Sequence, residues 1–82
     1  MTTTQSSQTY YNARFRWANK EKAVAEARSR GVEPYEEMLS GAEVDTIVGG
    51  VGNDRTSILE KVKEEYAKVG AEIVWMDDKP RN

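Results

Sequence analysis

The stretch Val44-Asp-Thr-Ile-Val-Gly-Gly-Val-Gly-Asn-Asp-Arg-Thr-Ser57 decides how this chain folds. Its β-branched start reads as a strand over about 43–48. The glycines read as a turn. Thr56 or Ser57 reads as the N-cap of the helix behind it, and Ser57-Ile-Leu-Glu60 has the spacing of a capping box. Ile58, Leu59, Val62, Tyr66 and Val69 then share one helical face, while Glu60, Lys61, Lys63, Glu64 and Lys68 cover the other. Gly70 ends that helix. Ala71 to Met76 follows, apolar on both faces at Ile73, Val74, Trp75 and Met76, as expected of a strand covered on at least one side. Strand, helix and strand in this order predict a crossover unit in which 43–48 and 72–76 lie side by side.

Working outward, Tyr11, Ala13, Phe15 and Trp17 alternate with Asn12, Arg14 and Arg16, the period-2 pattern of a half-buried strand. Asn19 suits the N-cap of a helix over Lys20 to Arg30, whose alanines at 23, 25 and 27 give high propensity but a thin apolar stripe. Gly31 supplies a left-handed exit. Pro34 suits the first position of a short helix, Tyr35 to Leu39, closed by Ser40-Gly41. The class is therefore α+β or α/β: a single-layer sheet of three or four strands with two helices on one face. A strand contributed by 32–39 would make it ferredoxin-like, and without one a three-stranded βαβ arrangement remains. Residues 1–8 read as a disordered polar tail, 9–77 as one compact domain and 78–82 as a polar tail that frays.

Composition narrows the function classes. At 82 residues the chain has room for one domain. With no cysteine and no histidine, it lacks thiol chemistry, the commonest general base and the commonest metal ligand. A net charge of −2 gives no bulk attraction to nucleic acid or anionic lipid. No apolar run approaches the ~18 residues of a membrane span. Met1 to Gln8 also lacks the basic and apolar regions of a secretory signal, so the expected setting is cytoplasmic. No enzymatic activity, cofactor or metal is expected.

Three features could recognise something. The first is the turn Gly49, Gly50 and Gly52 with Thr56 and Ser57, a candidate anion-binding nest at a helix start. From Ile47 to Pro80 the chain is similar to the first βαβ unit of the chromosome-partitioning ATPases, whose deviant Walker motif reads KGGVGKT[ST]. Gly49-Gly-Val-Gly52 matches it, and Trp75-Met-Asp-Asp78 resembles that family's next strand end. The resemblance implies phosphate or nucleotide binding. Val48 replaces the motif's first lysine, the phosphate-binding lysine is missing, and Asn53-Asp54-Arg55 interrupts the motif before Thr56. Helix 58–69 with Gly70 and Glu72-Ile-Val-Trp75 also resembles the end of small phycobilisome linker domains, over too few residues to transfer a function.

The adjacent carboxylates are the second feature. Glu36-Glu37 and Glu64-Glu65 read as solvated helix faces, because sequence neighbours on a helix do not face each other. Asp77-Asp78 sits at a strand end, where open sheets bind ligands, but two oxygen ligands do not make a metal site. The third is the row Tyr10, Asn12, Arg14 and Arg16, joined by Trp75, residue types enriched in interface hot spots. These five are the candidate partner-binding residues. They predict a small regulatory or interaction protein that binds another protein through a sheet face or edge, with homo-oligomerisation through the 10–17 strand or the Trp75–Met76 surface. The first alternative is a nucleic-acid-binding module using Arg14 and Arg16 flanked by Lys20 and Lys22. The second is a phosphate- or nucleotide-binding domain built on the 49–57 turn.

Overall fold

Side chains of β1 (Gln8–Arg16) alternate between a buried row, with Tyr11 and Ala13, and an open row, with Tyr10, Asn12, Arg14 and Arg16. The computed structural model describes residues 8–81 and is α+β. After β1 come α1 (Lys20–Ser29), α2 (Glu36–Ser40), β2 (Val44–Val51), α3 (Arg55–Ala67) and β3 (Glu72–Met76). The expected tail at 1–8 lies outside the described residues except for Gln8, which begins β1. Among the described residues no helix is long and apolar enough to cross a membrane.

The sheet has the order β2-β1-β3 and both pairings are antiparallel. This corrects the expected crossover. Segments 43–48 and 72–76 are parallel to each other but do not sit side by side, because β1 lies between them. The unit β2-α3-β3 is a split βαβ, an order compatible with a ferredoxin-like arrangement. No strand comes from 32–39, where Pro34 and Glu36–Ser40 make a linker and the short helix α2.

Tyr11, Ala13, Val48, Ile58, Val62 and Met76 form the core, with Leu59, Tyr66 and Ile73 packed against it. One stripe of α3 meets the buried face of all three strands. Each large aliphatic buried here contributes about 1.5–3 kcal/mol, so this seam outweighs the surface ion pairs, each worth about 0–1 kcal/mol. An edge-to-face aromatic series extends the core upward. Phe15 stands 5.1 Å from Tyr66 and 4.9 Å from Trp17, and Trp17 stands 5.6 Å from Tyr35. It ties β1 and α3 to the α1–α2 hairpin, where Ala23, Ala27 and Met38 are buried.

Helix α1 starts as expected, with Asn19 Oδ1 accepting from the Lys22 N–H at 3.1 Å. Helix α3 does not start at Thr56 or Ser57. Its N-cap is Asp54, so the capping-box reading is replaced. Over the described range the C-terminal residues run beside β1. The Asp77 N–H donates to Asn12 O at 2.8 Å and the Arg81 N–H to Tyr10 O at 2.6 Å, so 77–81 follow β1.

Gly70 joins the two halves of the molecule. It has φ +80°, and a methyl group there would lie 2.7 Å from Asn19 O and 2.9 Å from Ala23 N. Its own carbonyl accepts from the Asn19 N–H at 2.9 Å. Gly31, at φ +72°, has nothing within 4 Å of the same methyl position. The two positions share a backbone conformation but not a packing environment. Gly31→Ala should cost about 1 kcal/mol, the left-handed penalty alone, and Gly70→Ala about 3 kcal/mol or more, since backbone must move as well. Urea unfolding of the two variants checks the difference, and equal costs would contradict the close packing of α1 on Gly70.

Candidate functional site

The glycine segment is mostly strand. Gly49 and Gly50 lie inside β2, and only Gly52, at φ +94°, turns the chain. Each strand glycine is covered by a neighbour. A methyl at Gly49 would lie 2.5 Å from Tyr10 Cδ1, so the Tyr10 ring rests on that position from the next strand. Beneath Gly50 the Ile58 side chain would come to 3.2 Å of a methyl group. Thr9 Oγ1 donates to Gly52 O and holds the turn against β1.

The start of α3 is occupied by the chain itself. Asp54 Oδ1 accepts from the Thr56 N–H at 3.2 Å and Asp54 Oδ2 from the Ser57 hydroxyl at 2.8 Å. The two polar residues expected to greet an anion thus already serve a carboxylate, whose charge complements the helix dipole and repels a second anion. Of the expected nest, Gly52, Thr56 and Ser57 lie together at the turn, while Gly49 and Gly50 stand away from it in the ladder.

Sequence reasoning missed Arg55, the first residue of α3. Its Nε donates to Asp77 O at 2.9 Å and its Nη2 to Met76 O at 2.6 Å, with Asp78 Oδ1 at 3.8 Å. One guanidinium fork therefore fastens the helix start to the end of β3. Asp77 and Asp78 serve this junction, Asp77 Oδ1 also accepting from the Asp78 N–H at 2.8 Å. Among the described residues, no three acidic, histidine or cysteine side chains cluster as a metal ion would require. The nearest sequence signal for Arg55 was its position in the interrupted motif, which suggests nothing of this contact.

The expected partner-binding residues do come together. Tyr10, Asn12, Arg14 and Arg16 form one row on the face opposite α3. Trp75 is the cross-strand partner of Arg14, whose guanidinium carbon lies 5.6 Å from the indole centroid. On the other side of the row Ile47 and Val51 are exposed at 50% and 64%, beside Tyr10 at 48%, with Trp75 at 41%. The arginines are not free cations. Arg14 Nε donates to Asp45 Oδ1 at 2.8 Å, with Glu43 Oε1 at 3.6 Å from its Nη1. Arg16 Nε donates to Glu72 Oε1 at 2.6 Å. The Asp45 hydrogen bond and charge raise the Arg14 pKa above its already high value, so it is cationic at any working pH. The face is thus an aromatic and aliphatic surface crossed by charge pairs, with no cationic stripe.

Comparison with known protein families, with curated proteins and with solved structures finds no match to this chain.

Two outcomes are expected from this geometry. Arg55→Ala removes two charge-assisted hydrogen bonds to backbone carbonyls and should lower stability by about 1–3 kcal/mol, with faster hydrogen exchange at Asp77 and Arg81. Unchanged exchange at those amides would contradict the clamp. Millimolar inorganic phosphate or nucleotide should leave the melting temperature where it was, because a ligand that stabilises must bind the native state. A concentration-dependent rise would restore the anion reading.

Proposed function

We propose that this chain is a small non-enzymatic interaction protein that binds a protein partner through the open face of its sheet. The observation that carries the reading is the exposure of Tyr10 and Trp75 on the same face as Arg14, three residue types concentrated in interface hot spots, on a face that no described helix covers. The indole and the Asp45 carboxylate hold the Arg14 side chain in place, so binding orders little that is not already ordered. Carboxylates beside each arginine favour a mixed, partly apolar protein surface over a polyanion, since a phosphate would have to displace Asp45 or Glu72 from its pair. That supports the protein reading over the nucleic-acid one.

The test compares capture from native lysate by the native chain, by an Arg14→Ala/Trp75→Ala double variant and by Lys63→Ala on the exposed side of α3. A partner identified by mass spectrometry should be retained by Lys63→Ala and weakened at least about tenfold by the double variant. A partner held equally by all three would place recognition elsewhere. Binding to single-stranded RNA or DNA with a steep salt dependence, lost in an Arg14→Ala/Arg16→Ala variant, would replace this reading with the nucleic-acid one.

A further inference from the structure

Among the described residues, the outer edge of β2 has little of the usual protection. Sheet edges are normally blunted by short strands, bulges and charges, because an open row of backbone N–H and C=O groups templates pairing with another chain. The β3 edge has these devices: it is five residues long, its register breaks opposite Arg14 and Phe15, and Glu72, Asp77 and Asp78 flank it. The β2 edge is eight residues long, unbroken in register against β1, and holds one charged residue, Asp45. Beside it, α3 leaves part of the core face along β2 open. A groove of about 670 Å³ runs between β2 and α3, with Val48, Ile58, Val62 and Tyr66 inside and Lys61 and Glu65 among its lining residues. Lys61 has no ion pair among the described residues, while Glu65 holds only the exposed Lys68, at 3.3 Å.

We propose that this edge docks a second copy of the same chain, independently of the open-face reading. The β2 strands pair antiparallel about a two-fold axis normal to the sheet, giving the six-strand order β3-β1-β2-β2-β1-β3 with both α3 helices on one face. Charge complementarity argues for a second copy as the occupant. With the axis level with Lys63, midway between Lys61 and Glu65, each copy's Lys61 faces the other's Glu65, a self-complementary pattern of the kind an isologous interface needs. The spacing also fits. Because α3 spans β1, the two helix axes stand about three strand spacings apart, roughly 14 Å. That exceeds the 8–10 Å of direct helix packing and leaves a gap that long lysine and glutamate side chains bridge over the two apolar grooves. Of the dimer seams expected, edge-to-edge pairing of the 10–17 strand is closed, since both edges of β1 are already paired.

Analytical ultracentrifugation of the full chain tests this with two charge reversals, Lys61→Glu and Glu65→Lys. The native chain should dimerise in the micromolar range, and each single variant should raise the dissociation constant at least about tenfold by placing like charges together. An equimolar mixture of the two variants should regain native association as a heterodimer, because both cross-pairs are then opposite in sign, and this recovery also shows that each variant is folded. Amides of 44–51 should gain hydrogen-exchange protection as concentration rises, and Trp75→Ala should leave the dimer unchanged. A chain monomeric at every concentration, a dimer indifferent to both reversals, or a mixture that fails to recover would each overturn the proposal.

Discussion

The pairing of β1 on both sides is the constraint from which the rest of the molecule follows. A central strand must present hydrogen-bonding groups to two neighbours and a packing surface to α3 at once. Tyr11 and Ala13 supply that surface, and Asn12, Arg14 and Arg16 are thereby turned to the other face. Their cross-strand partners are distant in sequence: Arg14 reaches Asp45 and Arg16 reaches Glu72, 31 and 56 positions away. Little here is local, so the ordering entropy is recovered only when the first and last strands have met.

Two joints hold this non-local arrangement together, one at each end of α3. At its start, Arg55 grips the carbonyls of Met76 and Asp77, and Asp54 accepts from the Thr56 amide and the Ser57 hydroxyl. At its end, Gly70 reverses the chain and lets Asn19 and Ala23 approach closer than any side chain would allow. The helix is thus fastened to β3 below and to α1 above. A slide of α3 along the sheet would have to break both joints as well as expose Ile58 and Val62.

Much of this was legible in the residues themselves, and the failures have physical causes. Period-2 alternation identified β1, and the 3.6-residue stripe with its terminal glycine identified α3, because those signals are local. Strand order was not legible. Adjacency of 43–48 and 72–76 is the simplest layout for strand, helix and strand, but it would leave the aromatic strand at an edge of the sheet, and β1 wins the central place by burying Tyr11 and Ala13 between two neighbours. Gly49 and Gly50 read as a turn because glycine weakens a strand. Here the Tyr10 ring and the Ile58 side chain cover them, which restores the lost packing, and neither contact can be inferred from the segment alone. Asp54 displaced Thr56 and Ser57 as the cap by accepting from both. Of the candidate recognition residues, alternation put Tyr10, Asn12, Arg14 and Arg16 on one face, whereas the position of Trp75 beside Arg14 and the ion pairs of the two arginines depended on register.

That neutralisation bears on what such a face can bind. An exposed arginine pair contributes little to stability, about 0–1 kcal/mol, so Asp45 and Glu72 are poor candidates for a purely structural role. Their effect is to fix direction. Arg14 lies against the Trp75 ring with its Nε turned to Asp45, so the guanidinium is held within the sheet face and does not project from it as a mobile cation. A polyanion gains most from mobile cations that release counterions, while a protein surface gains most from a flat, ordered patch whose charges are already matched. Around Arg14 stand Trp75 on β3 and the Asp45 carboxylate on β2, and the proposed protein-binding reading rests on that matched arrangement. The same register that buries Tyr11 beneath the sheet therefore also pairs each of these arginines with a carboxylate on its upper face.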